Sequence, residues 1–422
     1  MKSFLNNTLW IIGGKIFQMI LSLVIGIFTV RYLGPGNYGV ISYIESFVMF
    51  FTAVSTLGLN AIIIKEFVSN EKQQGKLLGT ALILRIVVGC ISSILLILII
   101  FLTGEGDKEL IIVACIQSLI IPFQAFELIN FWFQSKMNSK KAVIAQVYSY
   151  IILIVYKTFI LITGKSILWF AFSTTLDIGL AGLMLFIAYV KNEGPKLEFS
   201  LFTAKKLLSQ SYHFIFSSML VVIYAQTDKI MIKYFMDVYS VGIYSAALKI
   251  TIMWSFIPYA IIDSARPLIM SAKEVNTESY EKKLIQLYAV IIWLSILYGI
   301  FVCFFAKNII LILYGNEYIG ATSALQILVW YTAASFIGSI KNIWLICENK
   351  IKFEKYFALM GVICNIMLNL ILIPYLGIVG AAIASLGTQF VTNIFAPLLF
   401  PETRGHTKLV LEGLFLKRIL WN

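Results

Sequence analysis

The residues of this chain that could do chemistry are charged side chains inside long apolar stretches. An ionisable group at the centre of a membrane-spanning helix costs on the order of 2.5 to 3.5 kcal/mol on insertion scales, so each one is a functional candidate that needs a partner. A lysine there requires water, a counter-charge or an anionic ligand, whereas an acidic group could take up a proton or a cation, or neutralise a nearby lysine. The candidates are the lysines Lys15, Lys157, Lys249 and Lys341 and the acidic residues Glu45, Asp177 and Asp228.

Two arginines in similar stretches are expected to be less informative. Arg85 and Arg266 lie close to the predicted cytoplasmic ends of their helices. Because a long basic side chain can extend its charged end to the phosphate headgroups, we predict that both arginines reach the membrane surface.

The composition of the chain defines the elements that must position these residues. Of its 422 residues, 60% are hydrophobic and 13% are charged, against roughly 25% charged in an ordinary soluble domain. A bilayer core about 30 Å thick takes roughly 20 apolar residues per helix, so a chain of this length has room for some ten to fourteen spans. Long apolar runs without apolar/polar alternation favour helices over barrel strands.

We therefore predict an all-α polytopic membrane protein of about twelve transmembrane helices. The predicted spans cover residues 9–30, 40–63, 77–102, 110–133, 143–162, 167–190, 212–235, 241–270, 284–306, 324–347, 356–373 and 378–399.

Basic residues are concentrated in every second connection between the spans, as in the cluster Lys136, Lys140 and Lys141 after the fourth. Short basic loops stay in the cytoplasm, so both termini are predicted to be cytoplasmic. The net charge of +12 is dispersed over these loops rather than clustered on a domain, which argues against a nucleic-acid partner.

The longest polar stretch, residues 191–210, lies midway along the chain and carries Gly194 and Pro195, as a linker would. We predict an N-terminal six-helix lobe over 1–190, a cytoplasmic linker over 191–210, a C-terminal six-helix lobe over 211–400 and a cytoplasmic tail over 401–422. Because six spans return the chain to its starting side, the two lobes are expected to be related by a pseudo-two-fold axis along the membrane normal.

The sequence argues against an enzyme, a metal site and a cofactor. The five cysteines lie in apolar runs with no C-x-x-C pair, and His213 and His406 are far apart, so neither a disulfide framework nor a zinc site is predicted. The P-loop, G-x-S-x-G and H-E-x-x-H patterns are absent from the sequence. No catalytic residue, metal ligand or cofactor is therefore predicted.

Four regions of the chain, in this order, are similar to the motifs of the bacterial Wzx-type oligosaccharide flippases. Each motif alone suits a structural role, since Gly-Pro-Gly gives a tight turn and small residues let helices pack closely. The specific feature is their order, which extends over nearly the whole chain. The regions are RYLGPGNYG at 31–39, TDKIMIK at 227–233 with VGIYSAA at 241–247, LYGNEY at 313–318 and PYLGIVGAA at 374–382.

This resemblance implies the two-lobed fold of the multidrug/oligosaccharidyl-lipid/polysaccharide exporter superfamily, in which the lobes are MATE-like. It also implies a function, the movement of undecaprenyl-diphosphate-linked oligosaccharide units from the cytoplasmic to the outer leaflet of the bacterial cell membrane for O-antigen or capsule synthesis. The expected partners are that lipid-linked oligosaccharide, membrane lipids, a polysaccharide polymerase and chain-length proteins.

For such a substrate, Lys249 is predicted to bind the diphosphate in a central cavity between the lobes, with help from Lys15, Lys157 and Lys341. The three acidic candidates are predicted to take up a coupling proton or cation, with pairing to lysines as the other reading. A cation-coupled small-molecule or drug exporter of the same superfamily is the alternative function. By resemblance such an exporter has a carboxylate in its first span, whereas residues 9–30 contain no Asp or Glu and carry Lys15.

Overall fold

A computed structural model describes residues 2–104 and 106–416, with the backbone alone at 2–12, 14–17, 20 and 217. Within these ranges the chain is helical and contains no strand. The helices are α1 Lys2–Ser55, α2 Ile63–Ser69, α3 Gln74–Thr103, α4 Lys108–Ser118, α5 Ile120–Phe123, α6 Glu127–Ser135, α7 Ser139–Ile162, α8 Ile167–Lys191, α9 Leu201–Phe235, α10 Val238–Met253, α11 Phe256–Val275, α12 Thr277–Leu313, α13 Thr322–Cys347, α14 Glu354–Leu376, α15 Ile378–Phe390, α16 Ala396–Leu399 and α17 Arg404–Leu414. Val391–Phe395, between α15 and α16, is a π-helical turn.

Ten helical stretches among the described residues are long and apolar enough to cross a membrane, and an eleventh is the pair α10 and α11, which is bent by 44°. Large apolar side chains such as Ile162 and Phe304 are about four-fifths exposed, at 80% and 83%. Lipid hydrocarbon can solvate such side chains, whereas every backbone polar group in the bilayer core must be satisfied internally, as it is in a helix. The predicted all-α polytopic membrane fold is confirmed.

Helix α1 contains the first two predicted spans, joined at a sharp break. Gly34 has φ 68° and ψ 169°, which is not helical, and Pro35 follows it. Glycine adopts a positive φ at little cost, and proline is favoured at the first position of a helix because it has no N–H to leave unpaired. When the two arms of α1 are counted separately and the bent pair as one span, each of the twelve predicted segments overlaps a helix.

The second predicted span, residues 40–63, extends beyond its helix, which ends at Ser55. Leu57 and Gly58 both have positive φ, and the chain continues in a short turn, Leu59–Ala61, in which Leu59 is buried, rather than continuing the span. The prediction for Arg85 was also wrong. It is 2% exposed, and its Nε donates to the carbonyl oxygen of Thr56 at 3.3 Å, so that the guanidinium satisfies a backbone group released by this break.

The chain divides into two compact units. The N-terminal unit contains residues up to 33 and residues 40–222, and the C-terminal unit contains residues 34–39 and the chain from 223 onward. The predicted linker, 191–210, is non-helical only as far as Ser200, because α9 begins at Leu201. The predicted tail forms α17, which packs on the C-terminal unit through His406 and Val410, and burial lowers the pKa of His406 to about 3.

Two of the motifs meet within the C-terminal unit, at Gly39 and Gly242. A Cβ atom on Gly39 would lie 1.9 Å from the carbonyl oxygen of Val238, and one on Gly242 would lie 1.9 Å from that of Pro35. The backbones of the residue 34–39 segment and of α10 are therefore in direct contact, which only glycine permits. This contact explains why RYLGPGNYG and VGIYSAA carry glycine at these positions.

We expect Gly242→Ala to destabilise the protein by roughly 1 to 3 kcal/mol, because the added methyl group has no space beside a carbonyl oxygen. The measurement is thermal unfolding of the purified protein in detergent. Gly36→Ala is the matched control, since a Cβ on Gly36 would meet nothing within 4 Å. Equal unfolding temperatures for the two variants would show that the close approach is not needed.

Candidate functional site

Asp228 is the most completely enclosed acidic group of the predicted set. It lies on α9 in the C-terminal unit and is 2% exposed. Its Oδ1 accepts hydrogen bonds from Nδ2 of Asn365 at 3.0 Å and from Nδ2 of Asn369 at 2.7 Å. Its Oδ2 accepts hydrogen bonds from the hydroxyl group of Tyr244 at 2.7 Å and from that of Ser385.

Four helices position this carboxyl group. Asn365 and Asn369 are one helical turn apart on α14 and therefore share a face, and Asn369 also donates to Asn365 Oδ1 at 3.1 Å. Tyr244 comes from α10 and Ser385 from α15, and their hydroxyl groups are 3.2 Å apart. The four groups in contact are all neutral, so they stabilise a negative charge without cancelling it.

This arrangement could hold a proton or a small cation. An ionised carboxylate in a spanning segment is costly, and a bound cation or proton would remove that cost. Asn369 Oδ1 is buried and has no hydrogen-bond partner among the described residues, so one more oxygen beside the carboxylate is left to accept. Asparagine, serine and carboxylate oxygens are the kind of groups that meet hard cations.

Three predicted residues come together in the N-terminal unit. Lys157 on α7 interacts electrostatically with Asp177 on α8 and, more weakly, with Glu45 on the second arm of α1. All three side chains are partly exposed. The cluster has one cation and two acidic groups, so pairing of charge accounts for part of it and leaves an excess of negative charge.

Lys341 on α13 is placed differently from its prediction as a cavity lysine. It is 1% exposed, and its ammonium group contacts Glu354 Oε2, the carbonyl oxygen of Thr392 and Asn393 Oδ1, each at 3.1 Å. The ammonium group thus has two hydrogen-bond acceptors and an ion-pair partner within the protein. These contacts favour an internal role for Lys341 over contact with substrate. The sequence could not show that the chain itself supplies partners for this ammonium group.

Lys249 on α10 is half-buried, and its ammonium group lies 5.5 Å from the centroid of the Tyr38 ring, within the C-terminal unit. This is the distance of a cation–π contact, which an anion could join. The side chain of Lys15 lies outside the described residues, so its predicted role stays a prediction. Of the four lysines, Lys249 and Lys341 make the contacts described, and Lys157 lies within electrostatic reach of Asp177 and Glu45.

Comparison with known proteins decides the family. The model of the polysaccharide biosynthesis protein family matches residues 4–273, more than half of the chain. The chain belongs to this family. The resemblance to polysaccharide flippases in the sequence motifs is thereby confirmed.

One curated relative is the probable flippase AglR of Haloferax volcanii, which is 26% identical over 182 residues. The match covers 42% of this chain and 38% of that protein, less than half of either. Among solved structures, the inward closed lipid II flippase MurJ has a TM-score of 0.73 at 17% identity and covers 96% of this chain and 90% of its own. An inward-facing MATE multidrug transporter has a TM-score of 0.72 at 16% identity, with 93% and 95% covered. The TM-scores, over more than nine-tenths of this chain, show a shared fold.

The sequence marked Asp228 as a candidate by its charge and did not identify the neutral side chains that contact it. Asn365, Asn369, Tyr244 and Ser385 carry no charge and belong to no catalytic motif, so nothing separated them from other polar residues in spans. The pair of asparagines at i and i+4 in the apolar run 356–373 was the one available signal, because two amides on one helix face in a membrane need partners.

Proposed function

We propose that this chain is a flippase that carries undecaprenyl-diphosphate-linked oligosaccharide units from the cytoplasmic to the outer leaflet of the bacterial cell membrane, for O-antigen or capsule synthesis. The observation that carries the proposal is the match to the polysaccharide biosynthesis protein family over residues 4–273. The similarity to a probable flippase, AglR, supports it, as does the fold shared with the flippase MurJ. Cytoplasmic termini, as predicted from the basic loops, belong to the same proposal.

The diphosphate headgroup needs cations on its way through the membrane. Lys249 is the proposed contact, with Lys157 and Lys15, because a flexible ammonium group can bind a phosphate and release it again. Lys341 is left out of this set because it already has an ion pair with Glu354 and donates hydrogen bonds to two further oxygens of the protein.

Asp228 is the proposed group for the coupling proton or monovalent cation. Its carboxyl group is buried and contacts only neutral hydrogen-bond donors. Uptake of a positive charge would therefore change the electrostatic energy of Asp228 more than that of the partly exposed acidic candidates near Lys157. Asp177 and Glu45 are weaker candidates, since Lys157 already lies near both of them.

Deletion of the gene tests the proposal directly. We expect lipid-linked oligosaccharide repeat units to accumulate on the cytoplasmic side of the membrane and surface polysaccharide to fall, and the intact gene to restore both. Extraction and analysis of lipid-linked oligosaccharides measures the first, and accessibility of the sugars to an impermeant lectin in oriented vesicles measures the side. If the deletion strain made normal polysaccharide and became sensitive to small toxic compounds, the drug-exporter alternative would replace the flippase.

A further inference from the structure

A groove on the surface of the N-terminal unit lies apart from the charged residues described above. It has a volume of about 460 Å³ and lies between α3, α8, the segment from α5 to the 3₁₀ turn Gln124–Phe126, and the linker. Among the described residues that line it, Glu198 is the one charged residue, and the others are apolar side chains and glycine. Leu183 and Phe199 line the groove and are each 51% exposed, so it opens to the surroundings of the protein.

The linker forms one end of the groove, because α3 carries glycine where the two meet. A Cβ atom on Gly75 would lie 2.2 Å from the carbonyl oxygen of Lys196, and one on Gly79 would lie 2.6 Å from that of Glu198. The Glu198 N–H donates to the Gly75 carbonyl oxygen at 3.4 Å, and the Thr80 hydroxyl group donates to the Glu198 carbonyl oxygen at 3.5 Å. These contacts fix the linker against α3.

From the linker the groove extends along the two helices. The lining residues of α3 range from Gly79 to Ile86 and those of α8 from Gly179 to Phe186, seven positions on each helix, or about 10 Å along its axis. Both stretches lie within segments that are long and apolar enough to cross a membrane. The groove therefore lies at the depth of lipid hydrocarbon, near the helix ends that are predicted to face the cytoplasm.

A groove at this depth suits an apolar chain, and its shape favours one kind. Four of the lining residues are phenylalanine, and Phe126 and Phe186 form an edge-to-face pair with ring centroids 6.2 Å apart. Gly179 keeps the groove wide, because a Cβ atom there would already contact the Phe123 ring at 3.5 Å. A polyprenyl chain has a methyl branch and a double bond in each isoprene unit, so it is wider than a fatty acyl chain and has fewer free rotations. It fills a wide, ring-lined groove better and loses less conformational entropy on binding.

The linker end of the groove suits the phosphate group that such a chain carries. The basic residues at this end are Lys76, Lys191 and Lys196, and the acidic ones are Glu193 and Glu198. Basic residues therefore outnumber acidic ones, and lysine binds phosphate as a flexible point charge.

Movement of a lipid-linked oligosaccharide imposes different requirements on the two parts of the molecule. The sugars and the diphosphate need a polar route, whereas transfer of apolar surface from hydrocarbon into water costs free energy in proportion to its area. The chain must therefore stay on the lipid-facing side of the protein while the headgroup crosses. An apolar groove at the surface meets this requirement.

We propose that this groove binds the polyprenyl chain of the lipid-linked substrate, with the chain between α3 and α8 and its phosphate group at the linker end. The inference rests on the proposed flippase function. The linker is then part of a binding site as well as a connection.

The test is lipid binding to the purified full-length protein, measured by native mass spectrometry. Undecaprenyl phosphate and dioleoylphosphatidylglycerol are titrated separately and together, and because each carries one phosphate group, a difference between them reports on the chain. We expect undecaprenyl phosphate to bind more tightly and excess phosphatidylglycerol not to displace it. Equal binding of the two lipids to the wild-type protein would overturn the inference, with an ordinary acyl chain as the occupant.

Two substitutions fill the groove. Gly179→Phe places a ring where there is room only for a Cβ atom. Leu183→Trp enlarges a side chain that is already half exposed, and it decides the matter if Gly179→Phe does not fold. Each should weaken the binding of undecaprenyl phosphate roughly 10-fold, which corresponds to lost burial of about two methylene groups, and leave the binding of phosphatidylglycerol unchanged.

Matched controls separate a filled groove from a damaged protein. Gly179→Ala adds a Cβ atom at an ordinary contact distance from the Phe123 ring and should bind normally. Leu98→Trp makes the same change as Leu183→Trp at a position of α3 that is 49% exposed and outside the groove, and it should also bind normally. Unchanged binding in both groove variants, or an equal loss in Leu98→Trp, overturns the role of the groove.

The outcomes distinguish the inference from the function on which it rests. If the deletion strain accumulates lipid-linked oligosaccharide while the groove variants bind undecaprenyl phosphate normally, the flippase function stands and the groove proposal fails. Normal polysaccharide in the deletion strain overturns the function, and with it the identity of the occupant as a transport substrate. Accumulation in the deletion strain together with selective loss of binding in the groove variants supports both.

Discussion

Replacing Asp228 with asparagine should leave the protein folded in the membrane and remove the ion dependence of export. Asparagine has nearly the same shape and can still bond to Tyr244 and Ser385, but it cannot change its charge when a proton or cation arrives. At a membrane potential of 100 mV, one coupled charge supplies about 2.3 kcal/mol, so its loss should lower the accumulation of product by roughly 50-fold. Transport of lipid-linked oligosaccharide in vesicles with an imposed gradient measures this.

Asp263→Asn is the matched control for this experiment. Asp263 is an acidic residue of the same unit that is largely exposed and pairs with Arg266 at 3.2 Å. A surface pair of this kind contributes little, so we expect near-normal transport and normal ion dependence. Gradient-driven transport by Asp228→Asn at the wild-type rate would leave Asp228 with a structural role only.

Lys249→Ala should insert and fold normally but lose most of its flipping activity, whereas Lys249→Arg should keep a substantial part. The half-buried ammonium group beside Tyr38 is a positive charge in a spanning helix, and the diphosphate is the anion proposed to meet it. Arginine retains the charge but binds phosphate as a more rigid bidentate group, so release should be slower. Restoration of surface polysaccharide in a deletion strain measures activity, with the amount of protein in the membrane measured alongside.

Lys165→Ala provides the comparison for Lys249→Ala. Its ammonium group also lies 5.5 Å from an aromatic ring, that of Trp169, but in the connection between α7 and α8 rather than within a span. We expect this variant to restore polysaccharide fully. Full export by Lys249→Ala at normal protein levels would contradict the substrate role of Lys249.

The helices of this protein could be predicted from sequence because lipid imposes a simple requirement. A spanning segment must be apolar over about 20 residues, and this signal does not depend on knowing its neighbours. Helix ends were harder to place. The run 40–63 is mostly apolar up to its end, yet the helix stops at Ser55. Burial against the protein and burial in lipid select the same kinds of side chain, so the sequence did not show where the helix ends.

The sites could be predicted only in part, since their chemistry depends on pairs of residues distant in sequence. The charge of Asp228 marked it as a candidate, but whether lysines or neutral groups surround it depends on how α9, α10, α14 and α15 pack. The partners of Lys341 could not be predicted for the same reason. Glu354 begins the next helix, α14, and the other two partners lie in the π-helical turn Val391–Phe395. No apolar pattern distinguishes such a turn from an ordinary α-helix.

The six residues 34–39 belong to the C-terminal unit although the sequence on both sides of them belongs to the N-terminal one. During synthesis, this segment leaves the ribosome about 200 residues before Val238 and Gly242, which it contacts. At about 5 to 20 residues per second, it must wait roughly 10 to 40 s for its partner helix. If the two units were expressed as separate fragments divided after residue 222, the C-terminal fragment would lack residues 34–39. We therefore expect that fragment not to fold correctly without the N-terminal one.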